Sequence, residues 1–194
     1  MVTILTTSVA APWHPWPAYQ SFVEPLFANP NVVETQVWDG AAGPALVCAA
    51  DEWDRPIAEQ AALRLIGKVE RGGGLLVLHQ GISLQARPEL ARLIGGRFIG
   101  HPPAGELRFR LPDSDESWTM TDEPYRFEDV AGVTPLLEYE YEGTWWLAGW
   151  EHAVGAGRVI YLMPGHVPEN YRDARYAALI RSCWARLEDA AEDS

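Results

Sequence analysis

Sulfur, positive charge and long apolar runs are all scarce in this chain, and each scarcity removes a class of function. There are 2 cysteines, Cys48 and Cys183, enough for one disulfide at most. Their spacing is not the Cys-x-x-Cys of metal or redox sites. Cys48 sits in an apolar run, ALVCAA, and Cys183 on the apolar face of the last helical stretch, so both read as small buried hydrophobes. Lysine and arginine number 15 against 27 acidic residues, a formal net charge of -12. Such a surface disfavours nucleic acid and anionic membranes as partners. No apolar run has membrane-spanning length. MVTILTTSVA lacks the basic flank of a secretion signal, and a cytoplasmic protein is expected. A phosphate loop is excluded too: Gly72-Gly73-Gly74 precedes a strand instead of following one, and no Gly-Lys-Ser/Thr is present.

What the chain does have is the material for one α/β domain. Its 194 residues, 47% of them hydrophobic, suffice for a single core spanning 1–194. VTILTT (2–7), VVETQVW (32–38), ALVCAA (45–50), LLVL (75–78) and GRVIYLM (157–163) read as strands, the apolar ones buried on both faces of a parallel sheet. YQSFVEPLF reads as helix, stopped or kinked at Pro25. A helix opens at Asp54-Arg-Pro56 and ends at Gly72, another runs from Pro88 to Gly95, and a third starts near Arg172. Between about 105 and 151, ELRFRL, LLEYEYE and WWLAGWE predict strands exposed on one face. Bare aromatics on those between 135 and 151 would suit a homodimer surface. Alternating β and α implies a parallel sheet covered by helices.

In such sheets ligands sit beyond the carboxyl ends of the strands. His79 directly follows LLVL, His166 follows VIYLMPG, and His14 lies in the loop after the first strand. All three are expected on one rim, with His101 of GGRFIGHPP folding back over it. Glu169, close behind His166, is placed to orient an imidazole. Thr121-Asp-Glu-Pro-Tyr125 adds two carboxylates and a tyrosine, with a capped turn as the plain alternative.

The series GGGLLVLHQGI, ELARLIGGRFIGHPP, TDEPYRF and GAGRVIYLMPGHVPENY resembles the trehalose-utilisation (ThuA-like) family. The resemblance runs from about residue 70 to the last helix. It implies a flavodoxin-like three-layer sandwich with a mainly parallel central sheet, like class I glutamine amidotransferases. Those enzymes carry a cysteine nucleophile at the strand-to-turn position that His79 holds here. An imidazole cannot replace a thiolate in forming a stable thioester, so cysteine-dependent glutamine hydrolysis is not expected. Two departures stand out: Val167 and Pro168 separate His166 from Glu169, where the amidotransferase pattern has one residue, and SWTMTDEPY lacks a histidine found before that segment in many relatives.

The resemblance implies a role in uptake and breakdown of trehalose, related disaccharides or keto-sugars. His79, His166 and Glu123 are the expected catalytic residues, and His14, Gln80, His101, Tyr125 and Glu169 the expected substrate contacts. A divalent metal fits the imidazole–carboxylate set, although the spacing is no known metal signature. The alternatives are a non-catalytic carbohydrate sensor, or an amidotransferase using Ser83.

Overall fold

A computed structural model describes residues 2–7, 13–40, 43 and 45–192, without the side chains of Ala45, Cys48 and 190–192. The buried role expected for Cys48, and the last two residues of the acidic tail, therefore lie outside the described residues. In chain order the elements are β1 (Val2–Thr6), α1 (Trp16–Val23), β2 (Pro30–Glu34), β3 (Ala45–Ala49), α2 (Glu59–Glu70) and β4 (Gly74–Leu78). Next come α3 (Pro88–Ile94), β5 (Arg97–Gly100), β6 (Gly105–Arg110), β7 (Ser117–Asp122) and β8 (Arg126–Glu128). The chain continues through β9 (Thr134–Tyr141), β10 (Thr144–Val154), β11 (Gly157–Leu162) and α4 (Ala174–Glu192). Among the described residues no helix is long and apolar enough to cross a membrane.

The main sheet has 9 strands in the order β2-β1-β3-β4-β11-β10-β9-β6-β7, and β5 pairs with β8 apart from it. From β2 to β11 the neighbours are parallel; from β11 outward every pairing is antiparallel. The sheet is thus mixed, not mainly parallel. The reason is local: β9 to β11 are joined by short turns at Glu142-Gly143 and Gly155-Ala156, which permit only antiparallel return. The two halves bury differently. Strands β1 and β4 are buried along their whole length, whereas β7 alternates exposed and buried residues. Helix α4 packs on β3, β4 and β11, while α2 and α3 pack on β11 and on each other.

Helix ends follow the local chemistry. Pro25 ends α1, and the chain passes into a 3-10 turn over Glu24–Leu26. Helix α3 opens with Pro88 and closes at Gly95, whose φ of 86° is left-handed. Asp54 is not a cap: α2 starts at Glu59, with Ala58 in the N-cap position. The strand expected over 32–38 stops at Glu34 and becomes a 3-10 turn, Thr35–Val37.

The aromatic strands are less bare than their sequence suggests. Arg110 lies 4.0 Å from the Trp145 ring centroid and Arg126 lies 3.9 Å from that of Trp146. These guanidinium groups cover one face of each ring by cation–π contact, and Trp146 still keeps 42% of its surface exposed.

Gly157 opens β11 where the chain passes the end of α2. A Cβ there would overlap the backbone oxygens of Val69 and Gly73, and neither can rotate away. Gly157→Ala is expected to cost about 2–3 kcal/mol, read as a lower urea midpoint with an unchanged slope.

Candidate functional site

Leu78 of β4 pairs in register with Leu162 of β11, so both strands release their chains at the same height. His79 leaves one and the segment Met163–His166 leaves the other. On the far side of β4, β3 ends at Ala49 and delivers Asp51 to the same rim, which holds His14. The far end of β7 supplies Asp122 and Glu123, and the turn after β5 supplies His101. Four sequence-distant imidazoles therefore meet one carboxylate.

Glu123 is the meeting point. Its Oε1 lies 3.3 Å from His166 Nδ1 and 3.4 Å from His101 Nε2, and its Oε2 lies 3.8 Å from His79 Nε2. His14 Nε2 is 3.4 Å from His166 Nδ1. Tyr125 stacks on His79 with ring centroids 4.9 Å apart, and its hydroxyl is 3.2 Å from His79 Nε2.

His79 is fully buried, while the side chains of His101 and His166 are 33% and 37% exposed. Substrate arriving from solvent meets the latter two first. His79 Nδ1 is 2.6 Å from the Met163 carbonyl oxygen, which can only accept, so Nδ1 carries the proton and Nε2 is bare. Burial is the main cause holding the His79 pKa well below the ordinary value, with His14 adding to it, and the ring stays neutral. Burial also lowers the His166 pKa, against the pull of Glu123. The backbone at His79 has a φ of 36°, the sharp turn its sequence predicts, in a region unfavourable for a side chain with a Cβ.

The loop after β11 is fastened by groups the sequence did not single out for that task. Asp122, fully buried, accepts the backbone N–H of Gly165 at 2.7 Å and the side-chain amide of Asn170 at 2.7 Å through Oδ2. Its Oδ1 accepts the N–H of Glu123 at 2.8 Å and of His166 at 3.4 Å. Tyr19 donates its hydroxyl to the His166 carbonyl at 2.8 Å. Asp51 takes the His14 backbone N–H at 3.3 Å, and its Oδ2 lies 3.4 Å from His14 Nδ1. Asp51 had a readable signal, a carboxylate directly after an apolar strand; Tyr19 and Asn170 had none.

Other expected site residues lie differently. Glu169 is exposed in the 3-10 turn Pro168–Arg172, and Asn170 beside it turns inward to Asp122. The two residues between His166 and Glu169 put the glutamate on the outer side of that turn. Gln80 is 1% exposed, with no hydrogen-bond partner for its amide among the described residues. Ser83 donates to the Ala50 carbonyl and accepts the Glu52 N–H, so its hydroxyl is committed to structure.

Solved structures with the same architecture include ThuA-like proteins. One, from Bacteroides uniformis ATCC 8492, has a TM-score of 0.74 at 15% identity, covering 94% of this chain and 89% of that one. Another, from Parabacteroides merdae ATCC 43184, has a TM-score of 0.77 at 14% identity, covering 98% and 89%. A β-galactosidase from the Antarctic haloarchaeon Halorubrum lacusprofundi is similar at 0.67 and 20% identity, but 98% of this chain covers only 30% of that one. At these identities the likeness shows the fold alone. No match is found among curated proteins. The model of one protein family, ThuA, described as trehalose utilisation, matches residues 45–185. A match over most of the length, on a chain whose fold those ThuA-like structures share, places the chain in the ThuA family.

Proposed function

We propose that the chain is a carbohydrate-utilisation enzyme that acts on a small disaccharide, trehalose-like or its keto derivative, at the Glu123 cluster. The parallel strands run β2-β1-β3-β4-β11, the 2-1-3-4-5 order of flavodoxin-like folds. That order supports a three-layer, class I glutamine amidotransferase-like sandwich forming one domain. The observation that carries the functional reading is the convergence of a carboxylate and two half-exposed imidazoles over a buried neutral one. Sugar hydroxyls and carbonyls need groups that both give and take protons near neutral pH, and imidazole with carboxylate supplies them. Glu123 and His166 meet the substrate and exchange protons with it. His101 and Tyr125 border the same space, and His79 stands behind Glu123, out of reach of solvent. Among the described residues no thiol lies in the cluster, which supports a chemistry other than that of a cysteine glutaminase.

The test is incubation with trehalose, other disaccharides and their keto derivatives, followed by product analysis and thermal melts. Turnover of one of these, reduced at least roughly 100-fold in Glu123→Gln, is the expected result. Thermal stabilisation without turnover would remove catalysis and leave a carbohydrate-binding protein. Neither turnover nor stabilisation would end the carbohydrate reading.

A further inference from the structure

Two imidazoles of the cluster stand with an acceptor oxygen behind one ring nitrogen. His79 gives Nδ1–H to the Met163 carbonyl at 2.6 Å, and His14 turns Nδ1 to Asp51 Oδ2 at 3.4 Å. Carbonyl or carboxylate behind an imidazole is the outer arrangement found around metal-bound histidines, because it fixes the tautomer and raises the basicity of the inward nitrogen. His14, His79, Glu123 and His166 each offer one ligand atom, all within 4.8 Å of one another. Three of them are buried. His79 Nε2 has the Tyr125 hydroxyl at 3.2 Å and His14 Nε2 has His166 Nδ1 at 3.4 Å, and a cation among these groups would take up the lone pairs that face Glu123.

From this geometry we infer that His14, His79, His166 and Glu123 form a binding site for one divalent transition-metal ion. The inference deepens the functional reading above, since it concerns the same cleft, but its test needs no sugar. Three imidazole nitrogens and one carboxylate oxygen are the donor set of zinc and its first-row neighbours, not of magnesium or calcium. With bonds of about 2.1 Å, tetrahedral ligand atoms stand about 3.4 Å apart. The His14–His166 and His166–Glu123 separations, 3.4 and 3.3 Å, already match. The 3.8 Å from His79 is to the other oxygen of Glu123, and the set as a whole, spread over up to 4.8 Å, closes by about an ångström or more around an ion. His101 stands outside the set, on the solvent side, where a substrate oxygen would approach the ion.

The ligands come from four separate segments: the loop after β1, the end of β4, the end of β7 and the loop after β11. A structural zinc site on a single loop stabilises that loop; this one ties together the whole carboxyl edge of the sheet. The ion would therefore stabilise the fold as well as bind in the cleft.

The experiment uses the full chain, stripped with a chelator and then titrated separately with Zn2+ and Co2+. One ion per chain is expected. The Co2+ form should show the intense visible d–d band of four-coordinate cobalt, and Zn2+ should raise the melting temperature. His166→Ala alters a partly exposed side chain, and Glu123→Gln keeps the shape of a buried one, so neither opens a cavity in the apolar core. Each is expected to weaken binding at least roughly 100-fold, while His101→Ala binds one ion as the unaltered chain does. Circular dichroism confirms that each variant is folded. Absence of stoichiometric binding would overturn the site, as would binding that survives in both folded ligand variants. A chain that binds cobalt but neither turns over nor is stabilised by sugar keeps the metal site and loses the carbohydrate reading. A chain that turns over sugar but binds no ion keeps the carbohydrate reading and loses the metal site.

Discussion

Replacing His79 by asparagine is expected to abolish turnover and cobalt binding while leaving a folded protein. The imidazole is fully buried, stacked on Tyr125 and bonded to the Met163 carbonyl. Its loss leaves that carbonyl without its donor and opens a space beside the tyrosine, together costing about 2–4 kcal/mol. A second effect runs the other way. At a φ of 36° the backbone here is strained for most residues, and asparagine tolerates that region better than histidine or alanine does. Relief is worth on the order of 1 kcal/mol. His79→Asn should therefore be more stable than His79→Ala, although both lose at least roughly 100-fold in activity. Urea unfolding and turnover, measured on the two variants together, check this. If His79→Asn keeps activity within a few-fold, the ring serves packing alone, and the strained turn has no functional reason.

That strain is the point at which the sequence was most informative. LLVLHQG announced a buried strand running into a sharp turn, and the structure has that strand and that turn, with His79 at positive φ. His14, His101 and His166 were legible because each follows a strand or a glycine-marked helix end, and strand ends share an edge. The antiparallel half of the sheet was legible in its strands but not in its consequence. Alternation in ELRFRL and WWLAGWE identifies strands, yet nothing local says that they extend the same sheet past β11. Their shielding by Arg110 and Arg126 was hidden for the same reason: cross-strand neighbours are fixed by register, and register is not written in one strand. Glu169 shows the converse. Proximity in sequence suggested a partner for His166, but a 3-10 turn rotates successive side chains by about a third of a circle. Asn170, one residue on, is the side chain that faces inward.

The cluster divides its labour by depth. His101 and His166 at the mouth are half-exposed, Glu123 lies between, and His79 and His14 form the floor, His79 bonded to the Met163 carbonyl and His14 beside the Asp51 carboxylate. Positions at the mouth can change partners as a substrate enters; those on the floor cannot. Precision in such a site comes from what fixes the loop that carries His166, and Asp122 holds that loop through the N–H groups of Gly165 and His166.

Removing the Asp122 carboxyl is expected to unfasten residues 164–170 and with them the site. Asp122→Ala leaves the N–H groups of Gly165, Glu123 and His166 and the amide of Asn170 without their acceptor. Buried donors left unpaired cost about 1–3 kcal/mol each before relaxation, so a net loss of roughly 2–4 kcal/mol near pH 7 is expected. The cost should also depend on pH, with a defined sign. Burial pushes the Asp122 carboxyl from 3.8 up to about 7, against the pull of its N–H donors. A folded-state pKa raised above the unfolded one contributes stability that is full below about 4 and is lost as pH rises through about 7. The shift of about three units corresponds to at most about 4 kcal/mol. His79 acts in the opposite sense, since the unfolded chain takes up its proton near 6.5 and the folded one does not. That contribution is common to both proteins and cancels in their difference. The stability gap between the unaltered chain and Asp122→Ala should therefore widen as the pH falls from 8 toward 5, in urea titrations run with a chelator present. A gap that narrows on acidification would mean that the four N–H donors outweigh burial, and that the carboxyl stays ionised throughout.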